Sequence, residues 1–504
     1  MKISWIQIGM ALCYMMLLVC VGLYMSRKVK NSSDYWIGGR EIGPISTAIS
    51  YSAAYYSTAA IIGGPPLYYL YGLGYSAMES FLNILLTGFV IFVLFAPKMR
   101  AISERVDAVS LSGFMAVRYR SNKIRLICAS IIALMMIPYA MSCVKGIGDA
   151  MTSIAGIPYQ FSVVVIVIVS FAYLVTSGYW GAATVDVIQG LTITLAVVVT
   201  AAAVLLHTGG ITPIVSYIIE EHPKQATLTG GLTWGTLFSY AGVWAFIAFG
   251  QPQLTTKFLA LKDNRTVGAV MRISTVWQII YWVGTAIIGM GALYLYKGKG
   301  FTNIDLIAPT VANDFGGTIV AGIFLCGALA AGFSTVAALV LTSSASVAKD
   351  IYEDYRSIAT GKPVAPEKSV KLSRIVTGIV LLLIGIGSLY PLDFVWALST
   401  MSAGVMGAAF TAPLLLGIYW RRSTTQGCLT AMIGGSILSV IWYFAGLSNI
   451  VHSFVPGTLL SFVLMTAVSL MTPQMPEEHV KVFFEADCSK KDIDRAIASA
   501  RQQA

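Results

Sequence analysis

The chain has 504 residues, 57% of them hydrophobic and 11% charged, with a formal net charge of +10. A soluble domain carries roughly 25% charged residues, so this composition, with a mean hydropathy of +0.76, excludes an ordinary soluble enzyme. No GxxxxGK[ST] loop occurs, which argues against an ATP-driven pump built on that motif.

Thirteen apolar spans are predicted in chain order, at 5–24, 44–72, 78–97, 126–150, 160–177, 184–206, 233–249, 268–296, 317–347, 372–389, 393–418, 425–446 and 453–471. Most approach the ~20 residues a helix needs to cross a bilayer. The first is followed by Arg27-Lys28, lacks a small-residue cleavage signature, and is read as a retained helix rather than a signal peptide. With these spans, 28 of the 33 Lys and Arg residues fall in loops on one side. Because cytoplasmic loops retain basic residues during insertion, the expectation is a multi-pass protein of the cell membrane with its N-terminus outside and its C-terminus inside. The positive charge is thus a topology signal and not a nucleic-acid patch. None of the seven cysteines falls in an external loop, no CxxC occurs, and the four histidines are scattered, so neither a disulfide framework nor a transition-metal site is expected.

Two spans cannot be plain helices. The second runs Thr47 to Pro66 with hydroxyls in its middle and Gly63-Gly64-Pro65-Pro66 at its far end; the seventh is short and ends in Gly250-Gln251-Pro252. Proline removes a backbone donor and glycine weakens a helix, and unwound backbone inside a membrane is tolerated only where it lines a cavity. Interrupted spans five places apart are what an inverted five-plus-five repeat produces, the architecture of secondary transporters; ordinary kinked helices are the alternative. In the ninth span Ala331, Ser334 and Thr335 stand at i, i+3 and i+4, so a carbonyl and two hydroxyls share one face. Such hard oxygens suit Na+. The plainer reading is that the hydroxyls bond back to carbonyls of their own helix.

Ionisable groups at membrane depth are functional candidates by default. Asp186 lies near the cytoplasmic start of its span, where it caps or supports the helix or serves an ion path. Lys145, in Cys143-Val-Lys-Gly-Ile-Gly-Asp149, pairs with Glu79 or with Asp149 four residues on, or meets an anionic substrate.

Several segments together resemble the sodium:solute symporter family. Ser33-Asp34-Tyr35-Trp36-Ile37-Gly38-Gly39-Arg40 is similar to its (F/Y)xxGGR motif, Asp186-Val-Ile-Gln189-Gly to the opening of its sixth span, and Gln251-Pro252 with Lys257 and Leu261-Lys-Asp263 to the loop after the seventh. Pro413 to Trp420 followed by Gly427 is similar to its eleventh and twelfth spans. The resemblance implies an all-α integral membrane protein of thirteen transmembrane helices with a LeuT-like 5+5 inverted repeat, discontinuous helices and alternating access. It implies a first helix and basic loop over 1–43, a ten-helix core over 44–420, two peripheral helices over 421–471 and a cytoplasmic tail over 472–504. Carried across, the family's sodium site falls on the carbonyls of Ala53, Tyr56 and Ala331 and the hydroxyls of Ser334 and Thr335, with Asp186 on the ion release path. Some members bind a second sodium with hydroxyls at two places that here are Ala337 and Ala338, so one Na+ per cycle is expected.

Glu79 aligns with an acidic position that in some relatives faces the substrate; the alternative is an acid favoured by a helix N-terminus. Gly63-Gly64-Pro65 followed by Tyr69-Leu-Tyr71-Gly72-Leu73-Gly74 resembles the pantothenate and monocarboxylate branches more than the proline or sugar branches. That favours a small organic acid, with Ser57 and Thr58 as donors, Tyr55, Tyr240 and Trp244 as walls or gates, and Gln278 and Lys145 as further polar contacts. A sodium-coupled amino acid (proline-like) or sugar symporter is the alternative, as is H+ coupling with Asp186 as carrier. Solute, sodium and lipid bilayer are the expected partners, with no nucleic acid and no obligatory protein partner. One sodium moving down 100 mV and a tenfold gradient releases about 3.7 kcal/mol, enough for a several-hundredfold gradient of a neutral solute. No paired-carboxylate, nucleophile or metal motif supports an enzyme, and the tail is too short for a fused kinase.

Overall fold

The structure, a computed structural model, describes residues 4–29, 35–36, 43–261, 263–297, 299–362, 364–390, 395–485 and 488–502. These residues are overwhelmingly helical. The helices used below are α1 (Trp5–Met25), α2 (Pro44–Tyr55), α3 (Thr58–Ile61), α4 (Gly64–Asn83), α5 (Asn122–Ala150), α6 (Tyr159–Thr208), α7 (Trp234–Ile247), α8 (Pro252–Leu259), α9 (Arg265–Tyr296), α10 (Ile307–Ala345), α11 (Pro366–Ser388), α12 (Val395–Tyr419), α13 (Thr425–Phe444), α14 (Phe454–Met471), α15 (Glu477–Phe484) and α16 (Lys490–Gln502). Among the described residues ten helical stretches are long and apolar enough to cross a bilayer, and Trp234–Gly250 is a shorter apolar one.

Three glycines turn long helical runs into separate rods. The 50 residues of α6 would extend about 75 Å as one helix, far beyond a hydrocarbon core of ~30 Å. Gly178, at φ 52° and ψ −139°, divides it. Gly72 (φ 65°) divides α4 and Gly317 (φ 68°) divides α10 in the same way. Left-handed backbone of this kind is open to glycine at no steric cost. At Gly178 a Cβ would also stand 2.6 Å from the carbonyl oxygen of Tyr35, so the corner is closed over by the chain that precedes α2.

The second half of α6 is the hub of the bundle, packing against α2, α9 and α10. Small residues set these approaches. A Cβ on Gly284 would lie 2.3 Å from Val197, on Gly291 2.2 Å from Val204, and on Gly327 2.2 Å from Ala196. The glycines of α9 and the valines of α6 both repeat every seven residues, so one groove receives one ridge over two turns. α13 and α14 pack on each other and on α12 at the edge of the bundle. The sequence reading placed no element between 207 and 232, yet Ile211–Glu221 is an amphipathic helix that buries Ile214 and Ile218.

Candidate functional site

The chain unwinds between α2 and α3, at Tyr56 (φ −83°, ψ 71°) and Ser57 (ψ 177°). This is two turns before the Gly63-Gly64-Pro65 signal, at a point with neither glycine nor proline. The local cause is Ser57, whose Oγ accepts the N–H of Ala59 at 3.2 Å and so caps α3. The N–H of Ser57 turns to Tyr55 O at 3.0 Å, so it is lost to the carbonyl of Ala53, four residues back. Ser334 on α10 supplies the missing donor: its hydroxyl lies 2.9 Å from Ala53 O and 3.1 Å from Ala331 O. The next residue, Thr335, is wholly buried and its hydroxyl has no hydrogen-bond partner. Ala53, Ala331 and Ser334 therefore meet at one buried point where the broken helix crosses α10, with Thr335 next along α10 and Tyr56 at the break itself.

Ser57 and Thr58 face α5. Thr58 Oγ1 is 3.5 Å from Cys143 O, and a Cβ on Gly146 would meet Thr58 Cβ at 2.8 Å. Tyr139, one turn before Cys143, lies beside Ser57, its ring tilted against that of Trp244 of α7 with centroids 5.7 Å apart. Tyr139 was not singled out from sequence, because an aromatic in a membrane span carries no signal of which neighbour it meets. Tyr55 donates to Asn83 and stands edge-on to Tyr56.

Other expected residues lie elsewhere. Gln278 is wholly buried and bonds Thr87 beside Asn83 and Gly88 rather than the break. Tyr240 is half-buried, 3.5 Å from Ser448 O and edge-on to His452. Lys145 does not meet Glu79 and is not left for an anion: its ammonium is 2.6 Å from Asp149 and 2.9 Å from Asp305. Glu79 is wholly buried with both carboxyl oxygens unpartnered. The hydroxyls of Tyr68 and Tyr75 stand next to it, with Tyr281 beyond.

Asp186 lies eight residues past the Gly178 corner, buried, with one carboxyl oxygen taking Ser50 and, at 2.9 Å, the ammonium of Lys257. Lys257 also reaches Ser50 Oγ at 2.5 Å and lies over the ring of Tyr179 at 5.1 Å. A small cavity is lined by Asp186, Lys257, Tyr179, Trp36, Ala338 and Thr342. Ala338 is one turn along α10 from Thr335, and Leu341, Thr342 and Ala345 continue the same wall. The cavity so begins one turn from the Ser334–Thr335 point and runs toward the loops rich in Lys and Arg. Of the (F/Y)xxGGR segment, Tyr35 and Trp36 are described, Tyr35 bonding Thr377 Oγ1 at 3.2 Å; Ser33, Asp34, Ile37, Gly38, Gly39 and Arg40 lie outside the described residues, as does Lys262.

The chain is 27% identical to the osmoregulated proline transporter OpuE of Bacillus subtilis, over 93% of its own length and 96% of that protein's. It is 27% identical to the high-affinity proline transporter PutP of the same organism (92% and 97%), and 25% identical to a sodium/proline symporter of Staphylococcus aureus (98% and 97%). Its fold matches that of a Na+-coupled sialic acid symporter in a substrate-bound outward-open state, with a TM-score of 0.80 at 18% identity over 94% of this chain and 99% of that one. A nucleobase-cation-symport-1 family transporter is more distant, at a TM-score of 0.53 and 14% identity over 89% and 97%. The sodium:solute symporter family model matches residues 35–435. The chain is a multi-pass membrane protein that belongs to the sodium:solute symporter family, whose coupling ion is Na+.

Proposed function

We propose that this protein carries a small zwitterionic amino or imino acid such as proline into the cell, one Na+ per cycle, by alternating access. The observation that carries the ion half is the pairing of Ser334 with the carbonyl freed at Ala53, beside the unpartnered hydroxyl of Thr335. Sodium would sit among the carbonyls of Ala53, Tyr56 and Ala331 and those two hydroxyls, and leave past Asp186 through the cavity on the basic side. With Ala337 and Ala338 after the hydroxyl pair and Lys257 already on Asp186, a second sodium has no comparable ligand set.

Thirteen spans in a five-plus-five repeat, with the N-terminus outside, C-terminus inside and a core over 44–420, account for breaks at corresponding places: Tyr56–Ser57 in one half and Ala248–Gln251 in the other. Solute would lie against the break, on Tyr55, Ser57, Thr58, Tyr139 and Trp244. Three points favour an ammonium-bearing solute over an organic acid. Relatives matched along nearly their whole length are named for proline. Lys145, the cation an acid would need, is held by two carboxylates. Glu79, with the Tyr68 and Tyr75 phenols beside it, instead offers a buried carboxyl and aromatic faces, which suit a cationic nitrogen. The Gly63-to-Gly74 pattern keeps a monocarboxylate or pantothenate as the second reading. Purified protein in liposomes distinguishes them: an inward sodium gradient should drive labelled proline uptake, replacement by choline should abolish it, and lactate and pantothenate should not compete. Sodium-driven uptake of either acid with no response to proline would overturn the choice of solute, and two sodium ions per solute would overturn the single ion site.

A further inference from the structure

We propose that Lys145, Asp149 and Asp305 form a latch that closes the pathway on the face away from the basic loops, with Asp305 as its detachable part. Lys145 and Asp149, four residues apart on α5, share a helix face. Asp305 arrives from 160 residues further along the chain, in the short turn Ile304–Leu306 just ahead of α10. One of its oxygens takes the Lys145 ammonium at 2.9 Å and the N–H of Val395, first residue of α12, at 3.3 Å. Its own N–H is held by Asn303 Oδ1 at 3.0 Å. A single wholly buried carboxylate thus ties α5, the turn before α10 and the start of α12.

The latch lies close to the break along α5. Gly146, next to Lys145, is the residue on which a Cβ would strike Thr58, and Cys143, whose carbonyl Thr58 approaches, is two residues before it. Ile132, on the wall of the open cavity, is 13 residues back along α5, about 20 Å at 1.5 Å per residue. The paired triad and the cavity therefore lie well apart along α5. The triad also has two discrete states. Closed, its charges are paired; separated but still dry, Asp305 would be a buried carboxylate without its cation, which is costly; separated and wet, water replaces the partner. Half-opening is thus disfavoured, and detachment goes together with admitting water from that side. One ammonium between two carboxylates leaves a formal charge of −1 at that entrance, which favours cation entry once it opens.

This rests on the alternating-access reading above. The test uses full-length protein in liposomes, retaining Cys143 alone of the seven cysteines, and a membrane-impermeant maleimide applied to the face away from the basic loops. Sodium should raise the labelling rate of Cys143 from that face. Asp305→Asn and Lys145→Gln should each raise the sodium-free rate about tenfold, as a shift of population toward the open state. Because both act on one contact, the double variant should label no faster than the faster single one. Sodium-sensitive labelling that Asp305→Asn leaves unchanged overturns the latch alone. Labelling that rises equally from both faces marks general loosening and also overturns it. Labelling insensitive to sodium without the latch substitutions overturns the alternating-access reading, and the latch with it.

Discussion

At the scale of single residues, Ser334 and Thr335 separate two contributions that most sites mix. The Ser334 hydroxyl bonds protein oxygens without any ion, so Ser334→Ala removes both a structural hydrogen bond and an ion ligand. Thr335 bonds nothing, so Thr335→Val, which keeps the shape of the buried side chain, removes only a ligand. Each change should raise the sodium concentration for half-maximal uptake about tenfold, the equivalent of ~1.4 kcal/mol. Thermal stability without sodium should fall only for Ser334→Ala. Sodium titrations of uptake, with thermal unfolding of the same samples in choline, check both; an unmoved sodium requirement for Thr335→Val would remove it from the site. The triplet Ala331, Ser334 and Thr335 was legible in sequence because helical spacing alone puts the three on one face. The partner of Lys145 was only half legible. Asp149 is a helical neighbour, whereas Asp305 is brought in by the path of α9 and α10.

At the scale of elements, the glycines of α9 are contact surfaces rather than weak points. Gly284→Ala drives a methyl to 2.3 Å from Val197, and a tightly packed helix pair answers such overpacking with a loss of about 1–3 kcal/mol. Gly268 lies on the same helix with nothing within 4 Å of a built Cβ, so Gly268→Ala should be neutral or stabilise by up to ~1 kcal/mol through helix propensity. Thermal unfolding in detergent should place the two on opposite sides of the unmodified protein, and equal melting temperatures would refute the groove-and-ridge account. The two broken elements were visible as Gly-Gly-Pro-Pro and Gly-Gln-Pro patterns, but only the second coincides with its break. In the first, chain reversal of the hydrogen bonds by Ser57 sets the unwound point, and serine as a cap is indistinguishable in sequence from serine pointing across a helix.

At the scale of the whole molecule, the tail is fastened to the basic face of the bundle. Arg105 donates to the carbonyls of Val482 and Glu485 at 2.5 and 2.6 Å, closing the C-terminal end of α15. Arg421 pairs with Glu485 at 3.2 Å. His479 donates from Nε2 to the carbonyl of Arg118 at 3.2 Å while its Nδ1 is buried without a partner. Burial, foremost, pushes the His479 imidazole down from 6.5 to about 4. The docked tail therefore binds fewer protons than the released one between these values, and docking should weaken as pH falls from 6.5 toward 4. Protection factors for amide exchange across 477–502, which divide out the intrinsic pH dependence of exchange, should fall as pH drops over that range, and His479→Gln should flatten the dependence. Protection factors unchanged with pH would show that the imidazole does not hold the tail.

What the amino-acid order determined on its own was whatever depends on near neighbours: the apolar runs, the placing of Lys and Arg between them, the hydroxyl pair on one helix face and the glycine-proline weak points. Water and lipid act on such features locally, so twenty residues suffice to reveal them. Tertiary structure alone decided which buried charge meets which: Lys257 with Asp186, Lys145 with Asp305, and Glu79 with only phenols. A charge in a low-dielectric interior takes its state from groups a few ångströms away, and here those groups come from helices far apart in the chain.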